Sequence, residues 1–279
     1  MNTNNDKYYL DFDKLFENFA DRYYNEHEGE YDSPDDFAKD LDKVYHIWAT
    51  SPQASIGGLS PSEFFNRIPT DELIDILKGS CLGDRNPSSL LFDRVATEYE
   101  LMPELIELAE EQTDEKLLSV AVSIINELGN APVDFYLRML ERDDIDMCIK
   151  EICLDPVCER AEAVKDELLA RAESADDLGM LEMYTEALVN CEVGDERITA
   201  LLRKLLNLDP NAAYVAELIA KYGDESLAAD LYAMLDTCDY ATFIELRNAI
   251  ETLGGTVDEN YRDFTDDPFY QVIKGTEDK

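Results

Sequence analysis

Apolar side chains recur at three- and four-residue steps over most of the chain, the spacing that gathers them on one stripe of an α-helix. In "DEKLLSVAVSIINELG" the stripe is Leu117, Leu118, Ala121, Val122, Ile124, Ile125 and Leu128. "ERITALLRKLLNL" (196–208) and "ESLAADLYAMLD" (225–236) repeat the period. No stretch of strand length alternates strictly between polar and apolar residues, so the pattern predicts an all-α fold.

The prolines punctuate the same pattern. Ser33-Pro34, Ser60-Pro61, Asn86-Pro87, Asp155-Pro156 and Asp209-Pro210 each put a capping side chain directly before a proline. The side-chain oxygen can accept the free amides of a new helix, and proline suits its first position, where no N–H is needed. Pro103 and Pro132 mark two further starts. Residues 1–112 then read as an irregular helical region with helices at 11–26, 34–49, 61–67, 70–79, 87–98 and 103–111. In the first of these Phe12, Leu15, Phe16 and Phe19 are the expected core positions, while Tyr8, Tyr9, Tyr23 and Tyr24 are expected to dress an exposed surface. The stretch "WATSPQASIGGLSPSEFF" (48–65) reads as a corner: Ser51-Pro52 stops a helix, Gly57-Gly58 reverses the chain, and Ser60-Pro61 with Glu63 restarts it. Trp48 is the expected anchor for Ile56, Leu59, Phe64 and Phe65.

Residues 113–266 repeat. "IINELGNAPVDFYLRML", "ALVNCEVGDERITALLRKLL", "LIAKYGDESLAADLYAML" and "AIETLGGTVDENYRDF" each hold an apolar helix end, a glycine, a polar turn and a second amphipathic segment. Gly129, Gly194, Gly223 and Gly254 mark a period of about 30 residues, with one unit between Gly129 and Gly194 in which Asp155-Pro156 is expected to make the turn. Such units cannot bury their apolar faces singly and must stack. This helix–LG–turn–helix unit resembles the short HEAT-like repeats of phycobilisome-lyase-like proteins, over roughly residues 113–266. The resemblance implies an α-solenoid of helix pairs whose second helices, at 132–141, 157–170, 195–207 and 224–235, line the ligand-facing side. It places Tyr136, Arg138, Arg203 and Tyr232 there as candidate partner contacts, in side-chain types enriched at binding hot spots. Residues 267–279 are expected to form a C-terminal tail. A second, local resemblance concerns residues 48–65, whose W-x-x-S-P-x-x-x-I-G-G-x-S-P-x-E pattern is similar to a signature in the toxin-binding domain of Xre/ParS-type antitoxins.

Charge narrows the function. The chain has 279 residues with 63 acidic and 24 basic side chains, a formal net charge of −39. That field repels phosphate backbones and anionic lipid heads, so nucleic acid and membranes are not the expected partners. With 45% hydrophobic residues, there is enough apolar material for one elongated or two compact domains. No apolar run has membrane-spanning length and no secretory leader is evident at the N-terminus, so a cytoplasmic location is expected.

The parts for catalysis are sparse. The two histidines, His27 and His46, belong to no metal or nucleophile motif, and no Gly-x-Ser-x-Gly or Gly-Lys-Ser/Thr loop occurs. Cys148, Cys153 and Cys158 are five apart and cannot share one helix face; with Cys81, Cys191 and Cys238 they are expected to be buried, reduced thiols. Asp36 and Asp40 in "DDFAKD" are expected on one helix face, as in the aspartate-rich helices that hold magnesium in all-α terpenoid enzymes, but no partner motif accompanies them. Asp35 and Asp36 also suit the first turn of a helix, where the dipole favours acids. The reading is therefore a non-enzymatic protein-interaction module that binds a protein with a basic surface and needs no cofactor. An acidic nucleic-acid mimic or antitoxin-like regulator, and an enzyme with a site in the N-terminal region, are the alternatives.

Overall fold

A computed structural model describes residues 10–81, 87–258 and 260–277. Every regular element among them is helical, in line with the apolar periodicity. No described helix is long and apolar enough to cross a membrane. The chain divides into two compact units, one of Met1–Pro132 with Asp144–Ile149, the other of Val133–Asp143 with Lys150–Lys279.

The first unit contains α1 (Phe12–Glu26), α2 (Pro34–Ala38), α3 (Leu41–Thr50), α4 (Pro61–Asn66), α5 (Thr70–Cys81), α6 (Ser89–Val95), α7 (Met102–Glu111) and α8 (Glu115–Leu128). α1 packs on α3, α3 on α4, and α7 on α8. The expected helix at 34–49 is two helices. Asp40, with φ −98° and ψ 1°, leaves the helical conformation and donates its N–H to the Phe37 carbonyl instead. Asp36 and Asp40 therefore belong to different helices, and the single acidic face expected of them does not form. Of the α1 positions predicted as core, Phe12 is buried, while Leu15, Phe16 and Phe19 are half-buried. Tyr23 and Tyr24 are also half-buried rather than fully exposed. Tyr8, Tyr9 and Asn86 lie outside the described residues.

The 48–65 corner has the expected build. The Ser51 hydroxyl donates to the Ile47 carbonyl at 2.6 Å, and Gln53 N–H donates to the Leu59 carbonyl at 2.8 Å. Gly57 and Gly58 reverse the chain at φ 72° and 82°, a region where other residues meet a Cβ clash. Ser60 then starts α4 with a complete capping box, its Oγ accepting from the Glu63 N–H and the Glu63 carboxylate accepting from the Ser60 N–H. Trp48 is 1% exposed. Its indole lies against the rings of Phe16 at 5.4 Å, Tyr45 at 5.3 Å and Phe12 at 6.5 Å.

The second unit contains α9 (Val133–Leu140), most of α10 (Met147–Glu159), α11 (Lys165–Ser174), α12 (Leu178–Leu188), α13 (Glu196–Leu208), α14 (Ala212–Tyr222), α15 (Ala228–Tyr232), α16 (Tyr240–Thr252) and α17 (Pro268–Glu277). α11 through α14 pack each on the next, and α16 packs on α14, α15 and α17. Asp177, Asp195, Asn211 and Asp239 cap α12, α13, α14 and α16, so part of the acidity is helix-start chemistry. The expected turn at Asp155-Pro156 is absent. α10 runs through Pro156, and the chain turns at Arg160 into a 3-10 segment, Ala161–Val164. Proline there forgoes its ladder hydrogen bond, yet neighbouring Val157 and Cys153 are fully buried, and that burial holds the helix across it. The expected second helix at 157–170 is consequently α11, starting at Lys165.

The four repeat-marking glycines all take positive φ, and Gly223 directly caps α14 in the left-handed region. Gly255 is restricted for a different reason. A Cβ there would lie 2.6 Å from Ile250 Cγ2, 2.9 Å from the Tyr232 hydroxyl and 3.1 Å from the Ile250 carbonyl oxygen. Gly255→Ala is expected to destabilise the protein by about 1–3 kcal/mol, the usual range for overpacking; a denaturation midpoint that does not move would mean that this turn shifts freely.

Candidate functional site

The polar surface of the second unit is built from arginines clamped to carboxylates about one repeat away in sequence. Arg171 of α11 pairs with Glu141 and with Glu167, the latter at 2.7 Å, and Tyr184 donates to the same Glu141 at 3.1 Å. Arg197 of α13 grips both oxygens of Asp195, at 3.0 and 2.7 Å, and reaches Asp166 of α11 at 2.8 Å. These bonds, Arg197's first among them, hold the Asp195 carboxyl down to about 2. Arg203 of α13 donates to Asp230 of α15 at 2.8 Å and to Ser226 at 3.4 Å. Arg262 donates to the carbonyls of Leu235 and Cys238.

Uncharged groups follow the same offset. The Tyr222 hydroxyl accepts the N–H groups of Gly194 and Asp195 at 3.1 Å. Thr199 donates to Asp224 at 2.5 Å, Tyr214 to Glu186 at 3.0 Å, and Tyr261 to Asp236 at 3.0 Å. Apart from the local pairs Arg197–Asp195 and Arg171–Glu167, two and four residues apart, the sequence separations in these links run from 23 for Arg203–Ser226 to 31 for Arg197–Asp166, with Tyr184–Glu141 longer at 43. These four arginines are thus turned toward the protein's own acids and carbonyls. The exposed carboxylates outnumber them, as the sequence charge requires.

The four residues marked out by the repeat resemblance take different places. Tyr136 on α9 is 1% exposed, packed on Phe135 with ring centroids 5.0 Å apart and under the Arg160 guanidinium at 5.3 Å. Its expected outward position is corrected. α9, "VDFYLRML", is apolar at most positions, so both Phe135 and Tyr136 are covered by neighbours. Arg138, on the same helix, is half-exposed and pairs with Asp134 one turn earlier. Arg203 is similarly half-exposed and held by Asp230. Tyr232 is half-buried; its hydroxyl donates to the Thr256 carbonyl at 2.9 Å and accepts the Thr256 N–H at 3.0 Å, stapling α15 to the turn after α16. Arg203 bonds to Asp230 and Ser226 and Tyr232 to Thr256, while on α9 Tyr136 is buried and Arg138 is exposed.

Reactive chemistry is weak in the described residues. No group of three or more His, Cys, Asp or Glu side chains is placed to hold a metal ion among them. Burial raises the thiols of Cys81, Cys158 and Cys191 to about 11 and that of Cys153 to about 12, and it raises Cys238 as well. These sulfurs stay protonated at neutral pH and are poor nucleophiles, while the burial expected of Cys148 is corrected, since it is exposed. The His27 ring stacks on Tyr23 at 4.0 Å, with Nδ1 2.8 Å from the Tyr23 carbonyl oxygen. Asp36 and Asp40 are each paired with a lysine three residues on, at 3.3 Å.

The fold and surface define an all-helical protein whose face is dominated by carboxylates. No family model, curated protein or solved structure matches the chain.

Proposed function

We propose that this chain is a non-catalytic interaction module that recognises a protein with a basic surface. The observation that carries this reading is the internal commitment of the second unit's arginines, which leaves a carboxylate excess facing solvent. Carboxylates held in place by arginines are preorganised, and a partner's lysines or arginines meet them at a reduced ordering cost. Arg138 and Arg203 act here as holders of Asp134 and Asp230 at the surface. The recurrence of contacts at about one repeat length supports the α-solenoid reading of this region, since stacked helix pairs touch mainly their nearest neighbours.

The test is affinity capture from native lysate at about 50 mM salt, followed by measuring the affinity of the purified partner against ionic strength. Recovery of a basic protein whose affinity falls steeply as salt rises is expected. Recovery of nothing, of proteins no more basic than the lysate, or of a partner indifferent to salt overturns the proposal.

A further inference from the structure

Asp209 closes α13 and leads into the turn before α14. It is the one buried charged residue among the described residues, at 7% exposure. Its Oδ1 accepts the Asn211 N–H at 2.6 Å. Its Oδ2 is buried with no hydrogen-bond partner among the described residues. A buried carboxylate oxygen without a donor is destabilising, and native structures seldom leave one. The side chain that meets Asp209 is itself a carboxyl, Glu182 from the middle of α12. Two adjoining carboxylates repel, but one proton between them supplies the missing donor.

We propose that Glu182 and Asp209 form a proton-operated latch that ties α12 to the α13–α14 turn. With a proton on Glu182, its O–H donates to Asp209 Oδ2 and the turn is held. When that proton leaves to solvent, the negative charge of half-buried Glu182 faces that of buried Asp209 and the tie loosens. The groups around Glu182 sharpen the effect. Asp177, the cap of α12, adds a third negative charge, and the Tyr214 hydroxyl of α14 lies near both carboxyls but donates to Glu186 at 3.0 Å. On the elements packed against α12, Lys165 and Arg171 of α11 are paired with Glu162, Glu141 and Glu167, and Arg197 and Arg203 of α13 with Asp195, Asp166 and Asp230.

Burial first, then the hydrogen bond and charge of Asp209, and then Asp177, raise the Glu182 carboxyl above its ordinary value of 4.5. The folded state therefore holds a proton in a pH range where the unfolded chain has released it. The latch's stabilisation is complete below the unfolded value and is lost as pH rises through the folded one.

Glu182→Gln tests the latch, because its amide donates to Asp209 Oδ2 at any pH. The thermal midpoint of Glu182→Gln is expected to exceed that of the wild type by about 2–4 °C at about pH 8, with a clearly smaller gain at about pH 5. Glu217→Gln, at an exposed position on α14, removes the same charge without touching the pair and is expected to give a small gain. Equal Glu182→Gln gains at both pH values, or a gain matched by Glu217→Gln, overturn the proposal. Carboxyl NMR of the unmodified protein gives a second reading: Glu182 titrating at or below the ordinary glutamate range overturns the latch, and titration above it supports the latch.

Discussion

Trp48→Ala is expected to lower the stability of the protein by about 3–5 kcal/mol, the range for deleting a large buried aromatic. The indole is fully buried in the first unit and touches the rings of Phe12, Phe16 and Tyr45. Phe12 in turn packs on Phe64 at 5.4 Å and Phe65 at 4.6 Å. Removing Trp48 therefore opens a cavity where α1, α3 and α4 meet, and the helices on either side of the glycine reversal cannot both move in to fill it. The Trp48 Nε1 is buried with no hydrogen-bond partner among the described residues. Trp48→Phe deletes that unsatisfied donor along with part of the ring, so it is expected to be milder, at about 1–2 kcal/mol. Chemical denaturation followed by circular dichroism checks both, since fluorescence loses its only tryptophan. A loss below about 1 kcal/mol for the alanine variant would show that the corner does not depend on the indole.

The second large effect is expected at Tyr136. Tyr136→Ala removes a ring that is 1% exposed, packed against Phe135 and lying beneath Arg160. A loss of about 3–5 kcal/mol is expected, while the protein that stays folded keeps its affinity for a basic partner. Burial raises the Tyr136 hydroxyl above its ordinary value and the Arg160 charge opposes that rise, so the phenol stays neutral at physiological pH. Arg138→Ala, two residues along the same helix, is the contrast. Its partner Asp134 is more than half exposed, and surface pairs of this kind are worth about 0–1 kcal/mol. Denaturation midpoints set beside binding isotherms separate the two roles. A stable Tyr136→Ala protein with weakened binding would return Tyr136 to the interaction surface.

What could be read without the structure was local. The helices follow from apolar steps of three and four. The starts at Pro34 and Pro61 follow from cap chemistry, that near Pro103 from proline's fit to the first turn of a helix, and the reversal at Gly57-Gly58 from backbone sterics. Each involves residues within a few positions of one another, where the chain's own geometry leaves few choices. Local signals also misled where a distant contact outweighed them. Asp155-Pro156 has the form of a helix start, yet the buried neighbours Cys153 and Val157 carry α10 through it. Residues 34–49 read as one helix but break at Asp40, and Phe37 packs on Tyr24 and Tyr31 at about 5 Å.

The candidate surface was less legible still. An amphipathic pattern says that a helix has a covered side, and on a short helix such as α9 it does not say how wide that side is. The pairing of Arg197 with Asp166, Arg203 with Asp230 and Glu182 with Asp209 joins residues about a repeat apart; spacing allows such pairs without choosing them. The sequence by itself determined the all-helical class, the caps and turns, and an acidic field too strong for its own cations to neutralise. The tertiary structure alone decided which side chains were buried and which arginine met which carboxylate, because burial and ion pairing are set by neighbours in space and not by neighbours in the chain.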